Sequence, residues 1–200
     1  MKKNKTAVLL HGILAFLEVI ALIHGIRVFG AGMFRYYTID SNVLQLIVSA
    51  CILAYLLRGK TCPARLGMLH LICAVCLTVT FLIAAFVLAP QEGFAYYFLS
   101  NVAPINHFLG PVLSVVTFIF VRTGPSLQKR MVTAPAAATL LYGIIALILN
   151  AARVLDGPYF FLRIYETPIS VVVMWFLIIA VLCLALSALY MRLESRQRSE

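Results

Sequence analysis

Six long apolar stretches alternate along the chain with short clusters of polar and turn-forming residues. A helix needs about 20 apolar residues to cross the roughly 30 Å hydrocarbon layer of a bilayer, and each stretch has about that length. Helices are expected because an open sheet would leave backbone groups unpaired in lipid. The pattern predicts an all-α fold, a polytopic membrane protein whose six-transmembrane-helix bundle forms one domain over residues 1–200. The predicted helices cover approximately residues 6–29, 38–57, 66–89, 99–121, 132–151 and 168–190.

The positive charges are unevenly divided between the two ends of the predicted bundle. Of 16 Lys and Arg residues, twelve lie in the first five residues, in the loops after the second and fourth helices, and in the tail. The opposite end has only Arg27, Arg35, Arg153 and Arg163. Because cytoplasmic loops carry an excess of Lys and Arg, this bias predicts that both termini are cytoplasmic, which requires an even number of spans. We expect a multi-pass protein of the cell (inner) membrane.

Composition excludes a water-soluble globule. Apolar residues make up 63% of the chain and charged residues 12%, whereas soluble domains are about 45–50% apolar and about 25% charged. The net charge of +9 follows from the orientation of the loops, so no nucleic-acid partner is expected. Four of the five cysteines fall inside predicted spans, and the sequence has no phosphate-binding glycine loop, HExxH or GxSxG motif. No metal, cofactor or disulfide framework is predicted.

Several polar side chains fall at membrane depth, where ionisable groups are costly and usually face a cavity or a partner. At about 1.5 Å per residue, the polar groups of four helices concentrate roughly 20–30 Å above the cytoplasmic charges. These are Glu18, His24, Thr38, Asn42, Asn106, His107 and Asn150. They predict either a water-accessible pocket open to the outer face or interhelical hydrogen bonds with no further role. His11 and His70 lie nearer the cytoplasmic side, where we expect a structural pair.

Two segments carry the main candidate residues. His107 lies between Pro104 and Pro111, which remove backbone donors and loosen the helix. A histidine in that position can face a cavity, although the prolines can also simply kink a packing helix. Thr38 and Asn42 are four residues apart and share a helix face, but Thr38 can equally serve as a helix cap.

A third candidate segment is the aromatic stretch before the last predicted helix. It contains Tyr159, Phe160, Phe161 and Tyr165. Tyr159 and Phe161 are predicted as the rim of the pocket. An ordinary aromatic belt at the membrane interface is the alternative interpretation.

Three motifs are similar to those of a known family. The segment "YYTIDSNVLQ" resembles the aromatic–Thr segment that enters the second helix of the androgen-induced membrane proteins. "NHFLGP" resembles the intramembrane His segment of that family, and "PYFFL" resembles the aromatic stretch before its last helix. The likeness follows the same order over most of the chain, and it is strongest to the bacterial six-helix members.

The resemblance implies an intramembrane threonine hydrolase. Family members cleave fatty acid esters of hydroxy fatty acids with a Thr and a His, and these catalytic roles fall by position on Thr38 and His107. On this hypothesis the threonine hydroxyl needs the histidine as its base. Glu18 would orient or charge-balance the histidine, and Asn42 or Asn106 would donate a hydrogen bond to the oxyanion.

The residues themselves leave two other functions open. One is a non-catalytic protein that binds or transports a lipid or small molecule in a polar intramembrane pocket, with Glu18 and His107 as a protonatable pair. The other is a structural or assembly protein. Membrane lipids are the expected partners in every case, and a fatty-acyl ester is the expected substrate if the protein is a hydrolase.

Overall fold

The computed structural model describes residues 5–121 and 123–199. Every regular element among these residues is helical, which confirms the predicted all-α class. The α-helices are α1 (Lys5–Phe29), α2 (Tyr37–Leu57), α3 (Ala64–Ile83), α4 (Ala89–Glu92), α5 (Phe94–Phe98), α6 (Gly110–Phe120), α7 (Ala134–Ala151) and α8 (Ile169–Ser199). Two π-helical turns, Ala84–Leu88 and Ile105–Leu109, and three 3-10 turns, Gly30–Arg35, Lys129–Thr133 and Phe160–Leu162, connect them. The positive charges of Lys2, Lys3 and Arg122 lie outside the described residues.

Five stretches of helix in the described part of the chain are long and apolar enough to cross a bilayer. They are Lys5–Arg35, Tyr37–Leu57, Ala64–Glu92, Lys129–Ala151 and Ile169–Arg198. Their outward faces carry exposed apolar side chains such as Ile148 and Leu177. Helices that are apolar on every side are typical of membrane spans. The length and composition of these helices therefore indicate an integral membrane protein.

Three of these helical stretches run further at their carboxyl ends than the sequence predicted, the first of them through the 3-10 turn as far as Arg35. The third continues through the π-helical turn Ala84–Leu88 and α4 as far as Glu92. The last continues as α8 to Ser199, where an ion pair between Glu194 and Arg198 supports its final turns. Charge pairs one turn apart stabilise exposed helix ends, which hydropathy alone does not detect.

The predicted fourth helix differs most from the structure. The chain is not helical across Leu99–Val102, and Asn101 adopts a left-handed conformation with φ of 46°. The longer helical part consists of a 5-residue π-helical turn, which follows Pro104, and the 11-residue α6. At about 1.5 Å per residue these give roughly 24 Å, less than the hydrocarbon thickness. A helix tolerates a proline in its first turn but not in its interior, so Pro104 marks the start of this helical part.

Helix α3 forms the centre of the bundle. It contacts α2, α6, α7 and α8, while α1 packs against α2 and α6. Leu71, Ala74 and Val75 of α3 are fully buried in the main apolar cluster. The other long helices are therefore arranged around α3, and α6 also contacts α8.

Four segments of the chain meet at one end of the bundle. The Cys62 amide donates to the Thr123 carbonyl at 2.8 Å, which joins the loop after α2 to the segment after α6. Glu194 near the end of α8 lines a crevice with residues of both segments. His11 of α1 lies edge-to-face with His70, with ring centroids 5.1 Å apart. This contact confirms the predicted histidine pair and brings the start of α1 to the same end.

Candidate functional site

A cavity that is partly open to the outside lies among α2, α3, α7, α8 and the 3-10 turn Phe160–Leu162. The walls are mostly aliphatic and aromatic, with contributions from Ala84, Leu140 and Phe176. Among the described residues, none of those that line it is a His, Asp, Glu, Lys or Arg. The cavity therefore suits an apolar ligand.

Thr38 provides a hydroxyl group to this cavity from the first turn of α2. Its backbone carbonyl accepts hydrogen bonds from Ser41 Oγ at 3.0 Å and Asn42 Nδ2 at 2.7 Å, which fix the turn. The N-cap of α2 is Tyr36, and no side chain bonds to the free amides there. Thr38 is therefore not the capping residue, and its side chain faces the ligand space instead.

Further hydroxyl groups lie near Thr38 in the cavity wall. Burial raises the pKa of Tyr159 to about 12, and hydrogen bonding to the Thr38 side chain and backbone partly offsets the rise. The Tyr159 phenol is therefore uncharged at neutral pH and able to donate. The hydroxyls of Tyr37 and Thr139 are 2.8 Å apart and join α2 to α7. One part of an otherwise apolar cavity thus offers hydrogen-bonding groups.

His107 lies outside the lining of this cavity. Its Nδ1 donates to the Tyr97 carbonyl at 2.9 Å, since a carbonyl can only accept. The ring packs edge-to-face against Tyr97 and Phe98, with centroids 5.5 Å and 6.1 Å away. This hydrogen bond fixes the tautomer and leaves Nε2 as an acceptor when the ring is neutral. The described residues form no hydrogen bond between His107 and Thr38, so their pairing stays a prediction.

The three predicted supporting residues come together at the junction of α1, α2 and the Ile105–Leu109 turn. Glu18, Asn42 and Asn106 are all buried. Asn42 Nδ2 lies 3.4 Å from the Asn106 carbonyl. A Cβ atom placed on Gly110 would lie 2.7 Å from Glu18 Oε1 and 3.2 Å from Asn42 Oδ1. Only glycine therefore allows these groups to approach α6 so closely.

Glu18 faces the bundle interior, as the cost of a carboxylate in lipid predicts. Its side chain is 1% exposed. The groups that the structure places near it are Asn42, Gly110 and the Cys73 thiol. A contact with His107, which the sequence predicted, stays a prediction.

Below this cluster, polar side chains of the same helices bond to one another. Gln45 Nε2 donates to Ser49 Oγ at 2.8 Å, and Ser114 Oγ donates to Gln45 Oε1. His11 Nδ1 lies 3.4 Å from Ser49 Oγ. His70 Nε2 lies 3.1 Å from the Thr117 hydroxyl oxygen. The Gln45–Ser49 bond lies within α2, and the other three contacts join different helices, as polar side chains do in membrane bundles.

The remaining predicted polar groups have other positions. Asn150 holds the α7–α8 connection, because its Nδ2 donates to the Leu155 carbonyl and its Oδ1 accepts from the Ile164 amide, both at 3.0 Å. His24 is half-buried on α1. The single polar pocket predicted from depth is thus divided between the Thr38 cavity, the Glu18 junction and this loop bond.

Tyr159 and Phe161, the predicted rim residues, both line the cavity. Their rings stack with centroids 5.5 Å apart. Phe161 also stacks on Trp175 of α8, with ring centroids 5.0 Å apart. This aromatic stack covers the α8 side of the cavity.

Sequence reasoning missed the apolar walls of the cavity. Ala84 contributes only a methyl group to the wall, and the Phe176 ring packs so close to Gly143 that a Cβ there would lie 2.8 Å from Phe176 Cζ. A small residue opposite a tyrosine on a neighbouring helix is a signal for such a space, but the sequence does not state which helices are neighbours.

The fold and the cavity together define a class, an α-helical membrane protein with an internal apolar site. No protein-family model, curated protein or solved structure matches this chain. The geometry of the site is therefore what indicates the function.

Proposed function

We propose that this protein binds a lipid-type ligand with an acyl chain in the cavity beside Thr38. The observation that carries the proposal is the cavity itself, whose mostly apolar wall has the hydroxyls of Thr38 and of tyrosines in one part. Ligand pockets combine such apolar walls with a few polar groups that fix orientation. An acyl chain would fill the apolar part, and an ester or carboxyl oxygen would accept from the hydroxyls.

The chain's single tryptophan permits a direct test. Trp175 stacks on Phe161, which lines the cavity. In detergent, stearic acid brominated on its acyl chain is expected to quench Trp175 fluorescence saturably. Unbrominated stearic acid should reverse the quenching by competition. Quenching that rises linearly without saturation, as partitioning into the micelle would give, contradicts a defined site.

The proposal includes six membrane crossings, the fourth being the broken segment from Phe94 to Phe120. Support comes from α3, which lies beside it. The two run in opposite directions, with Cys62 and Thr123 hydrogen-bonded at one end and Phe81 and Phe108 6.2 Å apart towards the other. Before Pro104 the chain folds back beside the turn that contains Phe108, where the Tyr97 carbonyl lies 2.9 Å from His107 Nδ1. A helix broken near the membrane surface is tolerated where protein covers its backbone.

The proposal also places both termini in the cytoplasm. The basic segments after α2 and after α6 meet at one end of the bundle, with the start of α1 and the end of α8. Gathering the Lys- and Arg-rich segments at one end supports a cytoplasmic assignment of that end. An even number of crossings follows.

Cysteine labelling tests this topology. Gln91 and Lys60 are both exposed, at opposite ends of the third predicted span. A membrane-impermeant maleimide should label Gln91→Cys in intact cells and should label Lys60→Cys only after the membrane is opened. The parent chain is the control, because its Cys62 is only 2% exposed. Labelling of Lys60→Cys, but not Gln91→Cys, in intact cells would reverse the orientation.

A threonine hydrolase is the second candidate function. It is favoured by the Thr38 hydroxyl in a mostly apolar cavity and by His107, whose Nδ1 bonds to the Tyr97 carbonyl so that Nε2 is the acceptor in the neutral ring. A threonine nucleophile needs an adjacent base, and the described lining residues provide none. Lipid binding is therefore the function that the geometry supports best.

Thr38→Val distinguishes the two functions, because valine keeps the shape of threonine without its hydroxyl. One hydrogen bond contributes about 0.5–1.5 kcal/mol, so the affinity for brominated stearic acid is expected to fall by about tenfold or less. We expect neither protein to cleave a fatty acid ester of a hydroxy fatty acid. Cleavage by the parent that disappears in Thr38→Val and in His107→Gln would instead establish the hydrolase.

A further inference from the structure

Four oxygen atoms at the Glu18 junction are buried without a hydrogen-bond donor among the described residues. They are Glu18 Oε1, Glu18 Oε2, Asn42 Oδ1 and Asn106 Oδ1. The three side chains are 1%, 4% and 6% exposed. An acceptor that is buried without a partner carries the full cost of its desolvation, and the cost is larger for a charged group. Interhelical hydrogen bonding does not account for these atoms as it does for the polar contacts below them.

The hydrogen bonds of Asn42 fix the direction of its oxygen. Its Nδ2 donates to the Thr38 carbonyl at 2.7 Å and lies 3.4 Å from the Asn106 carbonyl. Exchanging the amide oxygen and nitrogen would bring Oδ1 against two carbonyl oxygens, which also only accept. Asn42 Oδ1 therefore points away from both carbonyls, and it and Glu18 Oε1 both lie close to Gly110.

The junction lies beside a break in helix geometry. The Ile105–Leu109 turn is π-helical, and its Ile105 carbonyl would lie 2.9 Å from a Cβ on Gly110. That carbonyl accepts the hydrogen bond from the Gly110 amide that closes the π-helical turn. Single π-helical turns inside helices are frequent at functional sites, and irregular backbone carbonyls at membrane depth coordinate sodium ions in transporters.

We propose that this junction binds one sodium ion between the Glu18 carboxylate and the side-chain oxygens of Asn42 and Asn106. The donor set consists of hard oxygen atoms with a single negative charge. A monovalent cation balances that charge, whereas a divalent cation would leave a net charge in the membrane interior, where charge is costly. In the described part of the chain, no three His, Cys, Asp or Glu side chains converge on a metal site, so a zinc-type site is excluded there.

No described cation competes for the carboxylate. The ion pairs of the described residues involve Glu166 and Glu194, not Glu18. The titratable groups around it are the Cys73 thiol, which faces it from α3, and His11, two turns away on α1. On the Ile105–Leu109 turn, the neighbouring His107 bonds to Tyr97, and α2 and α6 offer uncharged side chains here. A proton on Glu18 is therefore the main competitor of sodium.

Thermal unfolding of the full chain in detergent tests the site. At pH 8, replacing choline chloride by sodium chloride at constant ionic strength should raise the unfolding midpoint by about 2–6 °C, because a ligand of the native state stabilises it. Potassium chloride should act more weakly. The sodium effect should shrink towards pH 5 as protons compete for the carboxylate.

Glu18→Gln is the principal variant, because glutamine keeps the size of the side chain and its amide can donate to the Asn oxygens. It should fold and lose the sodium effect. Glu166→Gln, which changes an exposed carboxylate, should keep it. The absence of a sodium-specific shift between pH 5 and 9 would overturn the site. An equal shift in Glu18→Gln would also overturn it. A shift that depends on pH and on Glu18 but not on sodium assigns a proton alone and also overturns it.

Discussion

Gly110→Ala is expected to lower the unfolding midpoint in detergent by about 3–10 °C, since overpacking costs about 1–3 kcal/mol and each kcal/mol shifts the midpoint by about 2–4 °C in a chain of this size. The new Cβ would lie 2.7 Å from Glu18 Oε1 and 2.9 Å from the Ile105 carbonyl oxygen. The carbonyl belongs to the backbone and cannot turn away. Glu18 must therefore move from a site where it is fully enclosed.

Gly12→Ala on α1 is the matched control. Nothing lies within 4 Å of the Cβ position at Gly12, and alanine is favoured over glycine in a helix by about 1 kcal/mol. The midpoint should stay the same or rise. If both substitutions change stability equally, the close approach of α6 to Glu18 is wrong. The sodium response of Gly110→Ala should also be weaker than that of the parent chain.

Ala84→Leu is expected to weaken binding of brominated stearic acid at least tenfold. Ala84 is buried in the cavity wall, so a larger side chain there takes space from the acyl chain. A methylene group is worth about 0.8 kcal/mol of apolar burial, and displacing two or more of them gives this loss. Quenching of Trp175 in a titration measures the affinity.

Ala85→Leu is the control for this substitution. Ala85 is the next residue of the same π-helical turn, is half-buried, and does not line the cavity. The affinity of the Ala85→Leu variant for brominated stearic acid should change by less than about twofold, the usual range for a substitution at the surface. Unfolding midpoints of both variants show whether they fold. Equal affinity in two folded variants would contradict binding in this cavity.

Hydropathy predicted five of the spans because a helix must match the thickness of the lipid, and that requirement acts on length and composition alone. The fourth predicted helix failed over Leu99–Val102, where Asn101 breaks the helix and Pro104 restarts it. A run of apolar residues around such a break gives the same hydropathy as a continuous helix. The extension of α8 to Ser199 depends on a local charge pair that hydropathy ignores.

The candidate site was predictable in height but not in direction. Counting residues placed Glu18, Asn42 and Asn106 at similar depths, and the structure brings them together. Neighbouring residues of a helix point about 100° apart. Asn106 is buried with its main chain beside Asn42 of α2, while the His107 ring packs against Tyr97 and Phe98. Depth cannot separate these directions. The direction of each side chain follows from packing between helices that the sequence leaves open.

Photo-crosslinking tests the proposed lipid-binding function most directly. A stearic acid analogue with a photoreactive diazirine on its chain is added to the full-length protein in detergent, irradiated, and the labelled peptides are mapped by mass spectrometry. The account predicts labels on the cavity wall, in the peptides that contain Thr38, Ala84, Leu140 or Phe161, and predicts their loss when excess unlabelled stearic acid is present. Labels confined to outward positions such as Ile148 and Leu177, unaffected by the competitor, would contradict it.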